Sequence, residues 1–138
     1  MLEKALILAA KAHTGQVDKG GAPYILHPIR VMLACEGEKE KIVALLHDTL
    51  EDTALTAADL RHAGFPEEIV QAVCCLTRGQ KEDYMDYIAR ICENALAARV
   101  KYADLQDNLD IRRIPNPTER DFARIRKYEQ AMKRITRS

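Results

Sequence analysis

The chain has no Trp, and only 5% of its 138 residues are aromatic, although 47% are hydrophobic. The core must therefore be built mainly from Leu, Ile, Val and Ala, a composition that suits packed helices. No apolar run approaches the roughly 20 residues that a membrane-spanning helix needs, so we expect no membrane association. The length is that of one ordinary domain, and we predict a single domain over residues 1–138.

The chain also lacks net charge, because 21 basic residues balance 21 acidic ones. This balance gives no general attraction to nucleic acid, and we expect no nucleic-acid partner. The charge is nevertheless uneven, since residues 99–138 hold 11 Lys and Arg against 6 Asp and Glu. Such a basic segment could face an anionic ligand, but we favour a solvated helix face.

Cysteine is sparse and is not arranged as a metal or disulfide framework. The four cysteines form no C-x-x-C pair, and they are Cys35, Cys74, Cys75 and Cys92. Their apolar helical surroundings predict free thiols in a reducing compartment. The first residues show no secretory signal pattern, so we expect a cytoplasmic protein.

Hydrophobic periodicity predicts helices throughout, and no stretch alternates with the period of two that marks a β-strand. Gly and Pro separate the helical segments, and Thr56 and Thr118 are predicted to cap two of them. We predict an all-α domain of about seven or eight helices. The predicted segments begin at residues 2, 28, 38, 56, 66, 83, 95 and 118, and the third runs without a break from Glu38 to Leu50.

One short stretch, His47-Asp48-Thr49-Leu50-Glu51-Asp52, carries four metal-capable or acid–base side chains directly after an apolar run. On a continuous helix, His47 would lie one turn from Glu51, and Asp48 one turn from Asp52. Carboxylates at a helix C-terminus oppose the helix dipole, and their burial is costly without a cation. This pattern favours a metal or catalytic centre over a solvated helix end.

Further metal ligands must come from elsewhere in the chain. His27 directly precedes Pro28 at a helix start, and Asp104 lies on an otherwise apolar helix with Asn108 one turn later. Each residue alone is more often structural than metal-binding. Together with His47 and Asp48 they form a nitrogen and oxygen set that suits Mn²⁺, Fe²⁺, Co²⁺ or Zn²⁺ better than Ca²⁺.

Four spaced motifs resemble the hydrolase domain of the RelA/SpoT family, within the HD-domain metal phosphohydrolases. They read AHTGQ at 12–16, PYILHP at 23–28, ALLHDTLEDT at 44–53, and VKYAD at 100–104 followed by Asn108. The resemblance covers residues 1–112. It implies an HD-domain helical bundle that uses Mn²⁺ to remove the 3′-pyrophosphate of (p)ppGpp, a small-molecule nucleotide.

The resemblance also implies a role for individual residues. According to the resemblance, the metal ligands are His27, His47, Asp48 and Asp104. The catalytic acidic pair is Glu51 and Asp52. Lys19 and Asn108 match residues that hold the nucleotide. We add Lys101 as a further cation for the anionic substrate, and we consider Arg78 a weaker candidate. We expect His13, which ends the first helix, to be buried and structural.

The sequence departs from the family pattern at the nucleotide pocket. Asp18 stands where the family has an Arg that packs on guanine, and an acid cannot take that role. The family's A-D-R-L-H-N reads A-D-L-Q-D-N at 103–108, and Ile111 replaces a small hydroxyl residue. We expect no synthetase activity, because that domain would have to follow this one.

Two alternatives to a (p)ppGpp hydrolase stay open. The first keeps the metal chemistry but acts on another phosphorylated nucleotide or phosphate ester, as Asp18 suggests. The second is a non-catalytic module that senses a nucleotide or binds a partner. The acidic pair Glu51 and Asp52 argues against the second, because a binding module does not need it. The sequence leaves the natural metal and the oligomeric state open.

Overall fold

A computed structural model describes residues 1–137, and it confirms the predicted all-α fold. The described chain contains nine α-helices, one 3₁₀ turn and no β-strand. The helices are α1 (Leu2–Ala12), α2 (Leu26–Ala34), α3 (Glu38–Leu46), α4 (Thr49–Asp52), α5 (Ala57–His62), α6 (Glu67–Cys75), α7 (Tyr84–Ile91), α8 (Ala95–Asn108) and α9 (Glu119–Thr136). The 3₁₀ turn, Ile111–Arg113, follows α8.

The prediction of one unbroken helix from Glu38 to Leu50 was wrong. Helix α3 ends at Leu46 and α4 begins at Thr49, with His47 and Asp48 in the turn between them. The Thr49 hydroxyl donates a hydrogen bond of 2.7 Å to the Leu46 carbonyl, which stabilises this turn. The break adds a helix to the expected number. Asp52 still lies one helical turn from Asp48, because its amide donates to the Asp48 carbonyl at 3.0 Å.

The core is centred on α3, which packs against α1, α2, α6 and α8. Its last five residues, from Ile42 to Leu46, are all at most 3% exposed. This explains why the apolar run preceding His47 has no polar face. Since the end of α3 is fixed on several sides, the backbone that carries His47 and Asp48 is held in place by core packing.

Side-chain caps mark two helix starts where they were predicted. The Thr56 hydroxyl accepts a hydrogen bond from the Asp59 amide, and the Asp59 carboxylate accepts one from the Thr56 amide. The Thr118 amide donates to the Asp121 carboxylate at 2.7 Å. The second cap begins α9, which packs on α7 and α8.

The glycine-rich loop between α1 and α2 is folded tightly against the 3₁₀ turn that follows α8. The Asp18 carboxylate accepts hydrogen bonds of 2.9 Å from the amides of Gly20 and Ala22. Gly20 packs so closely on the carbonyl oxygen of Arg113 that a Cβ atom would collide with it. Within residues 1–137, no helix is both long enough and apolar enough to span a bilayer.

Candidate metal centre and phosphate cleft

The four predicted metal ligands converge from three parts of the fold. His27 comes from α2, Asp104 comes from α8, and His47 and Asp48 come from the turn between α3 and α4. The Nε2 atom of His27 lies 2.9 Å from Asp104 Oδ1 and 3.8 Å from Asp48 Oδ2. The Nε2 atom of His47 lies 3.1 Å from Asp48 Oδ2 and 3.3 Å from Asp104 Oδ1.

This arrangement fits a divalent metal ion. Candidate ligand atoms of His27, His47 and Asp104 all lie within 4.8 Å of one another, and all three residues are buried. His47 Nε2 is buried and makes no well-aligned hydrogen bond in the described chain, although two carboxylate oxygens are near it. Two imidazole nitrogens and two carboxylates that face one point are a ligand set that suits one divalent ion.

A second set of residues forms hydrogen bonds and ion pairs with these ligands and so holds them in place. The Nδ1 atom of His27 lies 2.6 Å from Asp107 Oδ2, and Arg30 Nε donates to Asp107 Oδ1 at 2.8 Å. The Tyr24 hydroxyl donates a hydrogen bond to Asp48. Contacts of this kind fix the orientation and tautomer of metal ligands and tune their affinity for the ion.

The carboxylate of Asp104 is held by hydrogen bonds from two other residues of α8. Lys101 Nζ donates to its Oδ2 at 2.9 Å, and Asn108 Nδ2 donates to its Oδ1 at 3.1 Å. Burial alone would raise the pKa of Asp104, but Lys101 and the two histidines lower it well below its usual value. Asp104 is therefore held as a carboxylate, the form in which it can bind a cation.

The pKa values of the two histidines are shifted in the opposite direction. Burial disfavours protonation of His47, but Asp48 and Asp104 overcome it and raise its pKa well above the usual value. The pKa of His27 is also raised, because hydrogen bonds to Asp104 and Asp107 outweigh its burial. In the metal-free protein these imidazoles therefore bind protons more tightly than ordinary histidines do. A metal ion must displace those protons to bind.

The predicted acidic pair lies beside this centre on α4. Glu51 Oε1 accepts a hydrogen bond of 2.8 Å from the backbone amide of Arg78, which fixes its carboxylate. Partial burial, followed by the negative charges of Asp48 and Glu51, raises the pKa of Asp52. Both carboxylates are exposed, so solvent and substrate can reach them.

A cleft of about 360 Å³ opens beside His27. Its lining carries four cationic side chains, Lys19, Arg30, Arg113 and Arg124, together with Asn108 and Tyr128. The volume lies within the range of sites that bind small molecules. Three carboxylates, Asp18, Asp107 and Asp110, also line the cleft, and Arg30 and Arg113 pair with two of them. The small excess of positive charge next to the candidate metal centre is suited to a phosphorylated ligand.

The three predicted substrate residues are placed differently. Lys19 and Asn108 line the cleft. Lys101 is only 8% exposed and is not among the residues that line it; its ammonium pairs with Asp104. His13 is buried, as predicted, with its Nδ1 atom 2.8 Å from Gln16 Oε1.

Several residues of the site were not found from the sequence. Tyr24 and Asp107 had a usable signal, since each lies three residues from a predicted ligand. Arg124 and Tyr128 on α9 had none beyond the basic composition of that segment. The interpretation of this segment as a solvated face was correct for Arg120 and Arg126, which are exposed, but it overlooked the two residues that line the cleft.

Comparison with known proteins relates the chain to alarmone enzymes. No family model matches it. It is 32% identical over 120 residues to guanosine-3′,5′-bis(diphosphate) 3′-pyrophosphohydrolase of Aquifex aeolicus, which covers 78% of this chain. The predicted resemblance to RelA/SpoT-family hydrolases is confirmed. A protein named GTP pyrophosphokinase, from Myxococcus xanthus, is 30% identical over 144 residues, covering 91% of the chain.

The chain spans only 17% and 18% of the length of these two relatives. A solved structure of a metazoan ortholog of SpoT that hydrolyses ppGpp matches over nearly the whole chain instead. The match covers 99% of this chain and 93% of the metazoan chain, with a TM-score of 0.73 and 24% sequence identity. This likeness establishes that the two proteins share a fold of similar size.

Proposed function

We propose that this protein is a metal-dependent phosphohydrolase that removes the 3′-pyrophosphate of (p)ppGpp-like nucleotides. The observation that carries the proposal is the convergence of His27, His47, Asp48 and Asp104 at the edge of a polar cleft. The relationship to a named 3′-pyrophosphohydrolase supports the choice of substrate.

We assign the metal to these four residues and propose Mn²⁺ as the ion. When bound, a divalent ion would polarise the phosphate and lower the pKa of an attacking water. Asp107 and Lys101 would act indirectly, the first by orienting His27 and the second by stabilising the carboxylate of Asp104.

Glu51 and Asp52 are the proposed acid–base residues. Glu51 is oriented by the Arg78 amide, and Asp52 has a raised pKa that makes it a better proton acceptor than an ordinary aspartate. We propose that this pair orients the attacking water and accepts its proton. The proton is later available to the leaving oxygen of the nucleotide.

The cleft cations are the proposed contacts for the rest of the nucleotide. Lys19 is exposed at the rim, and Asn108 joins the cleft to the metal centre through its bond to Asp104. Arg124, which pairs with Asp121, is a further cation that lines the cleft from α9. Their positions are suited to a substrate with phosphate groups on both sides of a ribose.

A second candidate function keeps the same chemistry and changes the nucleotide. Asp18, which replaces the expected base-stacking Arg, uses its carboxylate to hold the loop through Gly20 and Ala22. The loop therefore keeps its shape without offering a cation to stack on guanine. This observation favours a broader choice of base than guanine.

We also propose that the enzyme acts in the cytoplasm on a small molecule, without nucleic-acid or membrane partners. All four cysteines are free in the described chain, in keeping with a reducing compartment. The balanced net charge supports the absence of a polyanionic partner.

A panel of nucleotides tests these alternatives. Protein loaded with Mn²⁺ is incubated with ppGpp, pppGpp, the adenosine analogue and simple 3′-phosphonucleotides, and the released phosphorus compounds are identified. We expect pyrophosphate from ppGpp, and none from the His47→Ala variant. Activity confined to other nucleotides would favour the second candidate. Silence on the whole panel with metal bound would favour a non-catalytic binding module.

A further inference from the structure

A second pair of cations lies outside the cleft, around the ring of Tyr84. Arg78 Cζ is 5.4 Å from the ring centroid, and Lys127 Nζ is 4.5 Å from it. We call these three residues the Tyr84 cluster. Arg78 comes from the loop between α6 and α7, and Lys127 comes from α9. Neither cation is among the residues that line the cleft.

The cations of the Tyr84 cluster are not neutralised within residues 1–137. Nearby basic residues each have an acidic partner: Lys101 has Asp104 and Arg124 has Asp121. In this part of the chain, Arg78 and Lys127 form no salt bridge, and the Arg78 Nε atom donates to the Glu82 carbonyl instead. The Glu82 carboxylate is near enough to Arg78 for the guanidinium to help lower its pKa, but it forms no ion pair with Arg78. Two neighbouring cations without a direct ion pair are stabilised by a bound anion.

The positive charges around Lys127 repel its ammonium group, and this repulsion affects its pKa. Burial lowers the pKa of Lys127, and the positive charges of Arg78, Lys101 and Arg124 lower it further. The Tyr84 hydroxyl is buried and has no hydrogen-bond partner in the described chain. A hydroxyl without a partner, on a ring that two cations without ion pairs approach, is a feature that an oxyanion would satisfy.

The Tyr84 cluster borders the candidate metal centre on two sides. The Arg78 amide binds the carboxylate of Glu51 at 2.8 Å. On the other side, Lys101 Nζ lies 6.0 Å from the Tyr84 ring and 2.9 Å from Asp104 Oδ2. The cluster therefore lies between a proposed catalytic carboxylate and the support of a proposed metal ligand.

We propose that Arg78, Lys127 and the Tyr84 hydroxyl form a subsite for the outer phosphate of the pyrophosphate group that is removed. This inference rests on the proposed function. The nucleoside side of the substrate is assigned to the cleft beside His27, and the inner phosphate to the metal centre. The outer phosphate then extends past Glu51 toward the Tyr84 cluster. The subsite distinguishes a diphosphate from a monophosphate.

The test compares inorganic pyrophosphate with orthophosphate as ligands of the Mn²⁺-loaded protein. Binding is measured by calorimetry at a fixed excess of Mn²⁺, so that chelation in solution is the same for every variant. We expect Lys127→Ala to weaken pyrophosphate binding by about 10-fold or more and to leave orthophosphate binding unchanged. Lys127→Arg should restore most of the affinity, and Tyr84→Phe should lose part of it.

Lys133→Ala is the matched control, because Lys133 is an exposed lysine on the same helix. Arg78→Gln provides a second variant if Lys127→Ala does not fold. Equal affinity of wild type, Lys127→Ala and Arg78→Gln for pyrophosphate overturns the subsite. Hydrolysis of ppGpp is measured in parallel. If wild type does not hydrolyse ppGpp but binds pyrophosphate in a way that depends on Lys127, the proposed function is overturned and the subsite is kept.

Discussion

His27 Nδ1 lies 2.6 Å from the carboxylate of Asp107, which directs the opposite nitrogen of the imidazole toward Asp48 and Asp104. Asp107 in turn accepts hydrogen bonds from Arg30. The candidate metal centre is therefore built from ligands whose orientation depends on a second layer of charged residues.

The Asp107–His27 contact should be required for metal affinity. We expect Asp107→Ala to weaken Mn²⁺ binding by about 10- to 100-fold, because the imidazole loses its acceptor and its fixed tautomer. Asp107→Asn keeps an acceptor oxygen and should lose less. The dissociation constants are measured by calorimetry, with Asp86→Ala as an exposed control on α7. Unchanged affinity in Asp107→Ala would exclude this positioning role.

Lys101 should be needed for stability when metal is absent. Its removal leaves the Asp104 carboxylate buried without its main counter-charge, and breaking a buried pair in this way costs about 3–5 kcal/mol. We expect Lys101→Met to lower the free energy of unfolding accordingly in EDTA. Bound Mn²⁺ should recover part of the loss. Urea unfolding with and without metal measures both values.

The matched control is Lys133→Met, an exposed lysine on α9 whose replacement should change the unfolding free energy little. A Lys101→Met protein as stable as wild type in EDTA contradicts the importance of the pair. Equal loss in the presence and absence of Mn²⁺ contradicts the link between Asp104 and the metal.

The stability of the metal-free protein should fall as the pH rises. His27 and His47 have raised pKa values, so their protonated forms stabilise the folded state, most fully below the unfolded-state value of about 6.5. That contribution is lost as the pH rises through the folded-state pKa values. Thermal unfolding in EDTA between about pH 6.5 and 9 measures the loss, and His47→Gln should reduce it.

Metal binding should show the opposite dependence on pH. Because the ion must displace protons from the two imidazoles, Mn²⁺ affinity should increase as the pH rises over the same range. Calorimetry in two buffers of different ionisation enthalpy reports the number of protons released. Affinity that does not change with pH, with no proton release, would show that these histidines are not the ligands.

The loop that carries Lys19 should depend on Gly20. A Cβ atom at this position would collide with the Arg113 carbonyl, so Gly20→Ala must displace the loop from the 3₁₀ turn that follows α8. We expect the KM for the nucleotide to rise more than the Mn²⁺ affinity falls, because the loop contributes no metal ligand and affects the metal only through the contact of Tyr24 with Asp48. Gly37→Ala is the control, since its added carbon would meet no atom closer than 3.6 Å.

The sequence was sufficient to predict helices and the identity of the residues that meet in the centre. His27, His47, Asp48 and Asp104 have side chains whose chemistry is unusual in apolar surroundings, and this makes them visible. The break between α3 and α4 was not visible, because residues 42–50 contain no Gly or Pro. The turn is stabilised locally by a hydrogen bond from the Thr49 hydroxyl, and a single Thr has no distinctive pattern in sequence.

The part of the site that comes from α9 could not be predicted for a different reason. Arg124 and Tyr128 lie on a helix rich in basic residues, and only the packing of α9 against α7 and α8 selects which of them reach the cleft. The same packing brings Lys127 to Tyr84, 43 positions earlier in the chain. Such long-range selection depends on tertiary structure, which residue type alone does not specify.

The central claim is most directly tested by titrating metal-free protein with Mn²⁺ while pyrophosphate release from ppGpp is measured. The account predicts that the rate rises in proportion to the added metal and saturates at one equivalent per chain. GDP should appear in the same amount as pyrophosphate, and His47→Ala should stay inactive throughout. Pyrophosphate release that persists in EDTA, or none at any amount of bound metal, would contradict the account.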